Sequence, residues 1–440
     1  MMSDEDKKEK IKDLLRSIHE GEGDVEKMRS EFKDLLNSIS PQEIPSLEQE
    51  LVKEGVTPDE IAEMCDVHLD IFRESVEDEY GLEDVPEGHP LNTLYKENEE
   101  ITRDAEMLPL TVRSIMEEDD PEKRDEKLEE FKEKVSDLLK IDRTHYTRQE
   151  MIIFPHIEKR GIEAVPRVLW RKHDENMGKV KKLLGMISKG VEDGEVSFDE
   201  LEEKSRDVSR SILDMVFREN NILYPTLKEL LSEEEWVAVL EQETDLGYYK
   251  VEPEKDWDPE VEPKFPYQVE KEISETELSE LPDQLKDVIG EKGFERDTYD
   301  VRKEGDFEVE TGFLDKEEVN SILRTLPVDI TFIDENNRVR YYSETERIFP
   351  RSRSIIGRPV KFCHPPGSVD KVKEILKKFK SGEEDEAEFW IQGGEAFIHI
   401  RYFPVRKENG DYLGAIEMVQ EVSEIRDLEG QKRILDWGED

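Results

Sequence analysis

Four long stretches of the chain, 91–117, 121–159, 164–190 and 198–231, place apolar residues at every third or fourth position, as in VSDLLKIDRTHY and SRSILDMVF. Such spacing lays one apolar stripe along each of four helices. Short polar turns, EEDDPE and VEDGEVS, join the stretches, so the pattern predicts an up-down-up-down bundle. Later the period shortens to two. VDITFID and RVRYYS flank a turn at Glu335-Asn336-Asn337, and EAEFWIQ, AFIHIRYFPVR and YLGAIEMVQEVS are separated by Gly393-Gly394 and Asn409-Gly410. Two strands, the helical segments SIIGRPVKFC and VDKVKEILKKFKSG, and three further strands predict an antiparallel sheet with helices on one face.

The same reading divides the chain into five parts. An all-α unit covers 6–82, the bundle 86–236, an acidic Pro-rich linker 237–315, the sheet domain 316–424 and a helical tail 425–440. Within the linker one helix is expected from Glu275 to Val288. EDVPEGHP, residues 83–90, carries the break signals between the first two parts. The fold class is multidomain, α plus α/β.

Composition narrows the partners. At 440 residues the chain is too long for a single core. With 113 acidic against 64 basic residues the formal net charge is −49, which argues against nucleic acid and against anionic membrane surfaces. Cys65 and Cys363 lie too far apart in sequence for a disulfide framework or a CxxC zinc site. The start, MMSDEDKKEKIKDLL, lacks an apolar run, and no segment approaches the ~20 apolar residues of a membrane span. A cytoplasmic, reducing setting is expected. No Gly-rich phosphate loop, GxSxG elbow, HExxH helix or kinase signature is present, so no catalytic output is legible.

One motif occurs twice: EMIIFP from Glu150 to Pro155 and ENNILYP from Glu219 to Pro225, with His145 just ahead of the first copy. The repeat predicts two similar helix ends facing one another. His89, His145 and His173 fall on three of the four helices and Glu219 on the fourth. Imidazole and carboxylate donors, one per helix around a bundle axis, suit iron or manganese. Taken singly, each histidine is more often a cap or a surface residue than a ligand; taken together, one per helix beside the doubled Glu motif, they favour a metal. His156 is a further candidate ligand, although its place beyond Pro155 suggests a solvent-facing side chain. Cys65 and His68 share a helical face in the N-terminal unit and read either as a haem or metal pair or as core residues. Cys363 and His364, in CHPP at the turn before a long helix, read either as haem ligands or as part of a structural turn.

Residues 86–236 resemble the hemerythrin-like (HHE cation-binding) domains through GHPLNTLYKEN, HYTRQEMIIFPHIEKRG, LWRKHDEN and FRENNILYP. The resemblance implies a four-helix bundle holding non-haem iron, with His89, His145, Glu150, His173 and Glu219 as the matching ligands. Three departures stand out. Gln149 lies four residues after His145, where the family pattern has Glu, and Glu150 lies five after it. Met177, four after His173, and Met215, four before Glu219, stand where the pattern has His. An altered centre of one or two irons is implied rather than reversible oxygen carriage. CDVH followed by Phe72 resembles the uncharacterised helical domain that precedes such bundles. Residues 318–424 resemble a PAS sensor domain, which implies a core that binds haem, another small molecule or none.

Together these resemblances imply a cytoplasmic sensor of oxygen, nitric oxide or redox state. Its partners would be a diatomic gas or small-molecule ligand, an unidentified protein and a second copy of the chain. Two other readings stay open: an enzyme handling iron, peroxide or nitric oxide, and a metal-free scaffold.

Overall fold

The first bundle helix, α1 (Pro90–Met116), begins where the sequence supplies a cap and a helix-starting proline: His89 Nδ1 accepts from the Leu91 N–H, and Pro90 fills the first turn. The computed structural model describes residues 10, 51, 56–57, 84–193, 197–253, 257–269, 296–345, 347–364, 368–394 and 396–432. These fall into two compact units, Met1–Asp300 and Val301–Asp440. Nearly all of the expected unit over 6–82, with Cys65 and His68, and the helix expected from Glu275 to Val288 lie outside the described residues.

In the first unit α2 (Pro121–Leu138) starts at the Asp120 cap. Beyond Leu139 the helix continues through π-helical turns at Asp142–Tyr146 and Gln149–Ile153 into α3 (Phe154–Glu158). The third bundle helix is α4 (Ala164–Asp193). The fourth, α5 (Phe198–Arg218), passes through a π turn at Glu219–Leu223 into α6 (Tyr224–Leu230). Leu91, Leu94, Ile101, Phe131, Phe154, Ile187 and Ile212 are among the side chains closing one apolar core between them.

The doubled motif therefore does not mark helix ends. Both copies form a π turn, and the aromatic-Pro pair opens the α-helix that follows. Proline donates no N–H and its ring crowds the preceding turn, so a regular α turn there is costly. In both copies the residue before proline, Phe154 or Tyr224, bonds back five residues, to the carbonyl of Gln149 or Glu219. The wider turn carries the chain past the proline without breaking the helix.

Where the sequence suggested a linker from residue 237, the chain stays on the bundle. A capping box of Ser232 and Glu235 starts α7 (Glu233–Leu246), and Trp236, Val239 and Tyr249 join the bundle core.

The second unit opens with a small hairpin, β1 (Phe307–Val309) and β2 (Gly312–Leu314), and α8 (Lys316–Thr325). A five-stranded antiparallel sheet follows in the order β4-β3-β7-β6-β5, from β3 (Asp329–Asp334), β4 (Val339–Tyr342), β5 (Ala387–Gly393), β6 (Ala396–Arg406) and β7 (Tyr412–Glu421). The register sets Phe332 opposite Ile416 and Ile400 opposite Val419. Helix α9 (Val369–Ser381) packs Val372, Leu376 and Phe379 onto the sheet. A further helix, α10, spans only Ser423–Arg426. Of the helical tail expected over 425–440, residues 427–432 are not helical and 433–440 lie outside the described residues. Among the described residues no helix is long and apolar enough to cross a membrane.

Candidate metal centre

Each bundle helix sends polar side chains to a common interior. From α1 comes Glu97, from the π-turn segment after α2 come His145, Gln149 and Glu150, from α4 His173, and from the π turn after α5 Glu219. Glu97, His145, Gln149, His173 and Glu219 are fully buried or nearly so. Buried charges of this density require partners, and here they supply them to one another. His145 Nδ1 lies 2.8 Å from Glu97 Oε2 and its Nε2 lies 3.2 Å from Glu219 Oε2. Gln149 Nε2 donates to Glu219 Oε1 at 3.0 Å, and His173 Nδ1 lies 2.7 Å from Glu150 Oε1.

The π turns explain how Gln149 and Glu150 both reach this interior. In an α-helix only the residue three or four places on shares a face with His145; a π turn adds one residue, so the fifth also comes round. Glu150 then meets His173, while Gln149 meets Glu219.

One imidazole nitrogen of this centre is left over. His173 Nε2 is buried without a hydrogen-bond partner, 3.7 Å from Glu219 Oε1, and its ring stacks on Tyr146 at 3.9 Å with only 5° between planes. Gln149 Oε1 is likewise buried and unpartnered. An imidazole nitrogen held rigid and unsatisfied beside a carboxylate is a ligand geometry, so the residues fit a non-haem metal. The donor set of nitrogens and carboxylate oxygens fits iron or manganese better than a thiolate-seeking ion.

Electrostatics tie the same groups together. Burial disfavours charge on His145, but the carboxylates of Glu219 and Glu97 outweigh it and raise its pKa to about 9. Burial likewise opposes ionisation of Glu219, yet His145 and His173 hold its carboxyl far below the usual range. The interior is thus an imidazolium clamped between carboxylates, and His145 must give up its Nε2 proton before that nitrogen can ligate.

The remaining candidates lie elsewhere. His89 sits eight residues before Glu97 on the same helix, roughly 12 Å along its axis at the usual rise. Its ring is placed between Trp236 and Trp257, with centroids at 4.8 and 4.5 Å, and burial lowers its pKa to about 4. His156 is fully buried rather than solvent-facing, because α7 covers it: Nδ1 lies 3.2 Å from Glu235 Oε1, and Arg160 grips both Glu235 oxygens at 2.9 Å. Met177 and Met215 are buried in the apolar core. In the second unit Cys363 and His364 are half-buried, and burial lowers the His364 pKa. Neither lines the groove of about 510 Å³ between the β3–β4 turn and α9, whose walls include Arg338, Lys361, Lys373, Lys377 and Lys380. Asp306, Asp315 and Glu318 are the one group of three ligands among the described residues already close enough to share an ion; they are half-exposed, and Asp315 and Glu318 form the capping box of α8.

Sequence reasoning missed Glu97, Arg148 and Glu243. Arg148 contacts the Glu97 carboxylate, and its Nε lies 3.8 Å from Glu243 Oε2. Burial raises the Glu243 pKa to about 7. A signal for Glu97 existed: Glu97 and Asn98 interrupt the stripe that Leu94 and Ile101 otherwise continue.

Comparison with family models matches the hemerythrin HHE cation binding domain over residues 89–227. The bundle is a hemerythrin HHE domain. Residues 11–78 match a family of unknown function (DUF438), and 319–423 match a PAS domain, so the protein joins this helical family, a hemerythrin HHE domain and a PAS domain in that order. Among solved structures, a C-terminal domain from Streptococcus mutans is 33% identical over 28% of this chain and 97% of its own, with a TM-score of 0.27. A sensory box sensor histidine kinase from Vibrio cholerae is 13% identical over 24% of this chain and 89% of its own, with a TM-score of 0.19. The PAS domain of a Colwellia psychrerythraea protein is 16% identical over 24% of this chain and 97% of its own, with a TM-score of 0.20. No curated protein matches the chain.

Proposed function

We propose that the protein is a cytoplasmic sensor whose hemerythrin HHE domain holds non-haem iron and whose PAS domain relays the iron's state to a protein partner. The observation that carries this reading is the unpartnered His173 Nε2, buried beside Glu219 and His145. His145, Glu150, His173 and Glu219 would hold the iron, drawing three of the four helices to one point. Iron held with open positions supplies binding of oxygen or nitric oxide and a change of oxidation state. The chain's own part is to exclude water, through the surrounding apolar core, and to orient the neutral His145 ring through Glu97, which is already bonded to its Nδ1. With Met at 177 and 215, the ligand set favours one iron over two.

The opposing reading is a metal-free network, supported by the same two methionines and by the mutual pairing of the acids and imidazoles. Metal analysis of protein purified without oxygen decides between them. About one iron per chain in the wild type, reduced severalfold in His145→Ala and in Glu219→Ala with helicity retained, is the expected result. No bound iron in the wild type, with melting unchanged by a chelator, would leave the metal-free network standing.

A further inference from the structure

The segment that leaves the HHE domain returns to its interior. Residues beyond 227 fall outside the HHE match and before the PAS match, yet Gly247 and Tyr249 touch the polar centre. The Tyr249 N–H donates to Glu97 Oε1 at 2.6 Å, and the Gly247 carbonyl accepts from Arg148 Nη1 at 3.2 Å. Arg148 also donates to Glu97 Oε2, the oxygen that faces His145 Nδ1. Every side chain in this chain of contacts is buried: Glu97, Arg148 and His145 are each at 0% exposure. Glu97 is therefore fixed from two sides, by a guanidinium and by a backbone N–H, while its free edge orients an imidazole.

We propose that α7 and the strap that follows it, Gly247–Tyr249, form a positioning arm for the metal centre, acting through Glu97 on His145. Carboxylates that hold the far nitrogen of a ligating imidazole set its tautomer and orientation, and their loss typically weakens metal binding ten- to hundredfold. Glu97 fills that role, and the arm holds Glu97. The inference rests on the iron reading above for its ligand but not for its geometry. The inter-domain segment thereby becomes part of the centre's support, since the strap contacts the centre through two residues and leads away from it toward the PAS domain in sequence.

Gly247 offers a way to perturb the arm without touching any ligand. Its φ of 75° and ψ of −171° lie in a region that only glycine occupies comfortably, and a Cβ built there meets nothing within 4 Å. Gly247→Ala thus strains the strap's path without a steric clash. In the full-length chain, titrated anaerobically with ferrous iron, Gly247→Ala and Glu97→Gln are expected to weaken binding at least tenfold. Lys250→Gln, next to the strap but paired with Asp104 at the surface, should bind as the wild type does. A second readout needs no metal: the downfield imidazole proton at His145 Nδ1, seen by NMR in metal-free protein, should shift or broaden in Gly247→Ala and Glu97→Gln alone. Wild-type affinity in both variants, with iron binding still lost in His145→Ala, would overturn the arm while leaving the iron reading intact. Failure of the wild type to bind iron would overturn the iron reading, and the NMR comparison would then decide the arm by itself: an unmoved proton sinks it.

Discussion

Two buried histidine–glutamate clusters sit in the same bundle, and they differ in charge balance. At the far end of the π-turn helix, Glu235 is gripped by both nitrogens of Arg160 and faces His156, so one carboxylate meets two nitrogen groups. At the centre, Glu97, Glu150 and Glu219 surround His145 and His173, with Arg148 on the outer side. In the first cluster a permanent cation balances the one carboxylate, although His156 Nε2 is buried there without a hydrogen-bond partner. The second sets three carboxylates against one permanent cation, Arg148, and leaves His173 Nε2 and Gln149 Oε1 buried without hydrogen-bond partners. The presence of His and Glu does not distinguish a site from a structural salt bridge; whether permanent cations match the carboxylates in number separates these two clusters.

The largest effect is expected at the Arg160–Glu235 cluster. Glu235→Ala would leave Arg160 buried without its partner, and the loss should be about 3–5 kcal/mol. Urea denaturation would show it, with iron bound per folded chain unchanged; a parallel loss of iron would mean the two clusters are one system.

Acid should act next. The folded chain holds His89 at about 4, against 6.5 for the free side chain. Between those values the unfolded chain binds a proton that the folded chain refuses, so stability falls as pH drops from 6.5 toward 4. The full effect is on the order of 3 kcal/mol. Glu235, held near 2, adds a second loss of the same sign below pH 4.5. His89→Asn keeps a capping oxygen and removes the titration, so its denaturation midpoint should be flatter between pH 6.5 and 4; an unchanged slope would place the acid sensitivity elsewhere.

Gln149 tests the centre itself. Gln149→Glu replaces the amide that donates to Glu219 with a second carboxylate. The metal-free protein should lose more than the ~1–2 kcal/mol of the hydrogen bond, because the new carboxyl is buried against Glu219, while the iron-loaded protein keeps its stability. A wider gap between the two melting temperatures is the expected outcome, and an equal drop in both would count against a metal at this point.

How far the sequence reveals these features depends on periodicity. The strands of the PAS domain and the helices of the bundle could be placed nearly to the residue because a long run of alternating or stepped apolar positions admits one solution. Single polar residues do not. Glu97 on a helix rich in Glu and Lys looks like a solvated side chain, and only its place in line with Leu94 and Ile101 betrays it. Helix α7 escaped for a related reason: its start, Ser232 to Glu235, is an acidic run inside an acidic chain, and its apolar contribution rests on a few residues such as Trp236 and Val239. The grouping of His145 and His173 with Glu150 and Glu219 was legible, but Gln149 and Glu150 looked like a flaw in spacing. They are the signature of a π turn.

That turn makes chain length, rather than residue identity, the controlling variable at the centre. Deleting a single residue from Gln149–Ile153 or from Glu219–Leu223 would take out the residue that the π turn absorbs and force an ordinary α turn against Pro155 or Pro225. Each π turn thus behaves as a one-residue spacer that its helix cannot lose without meeting the proline.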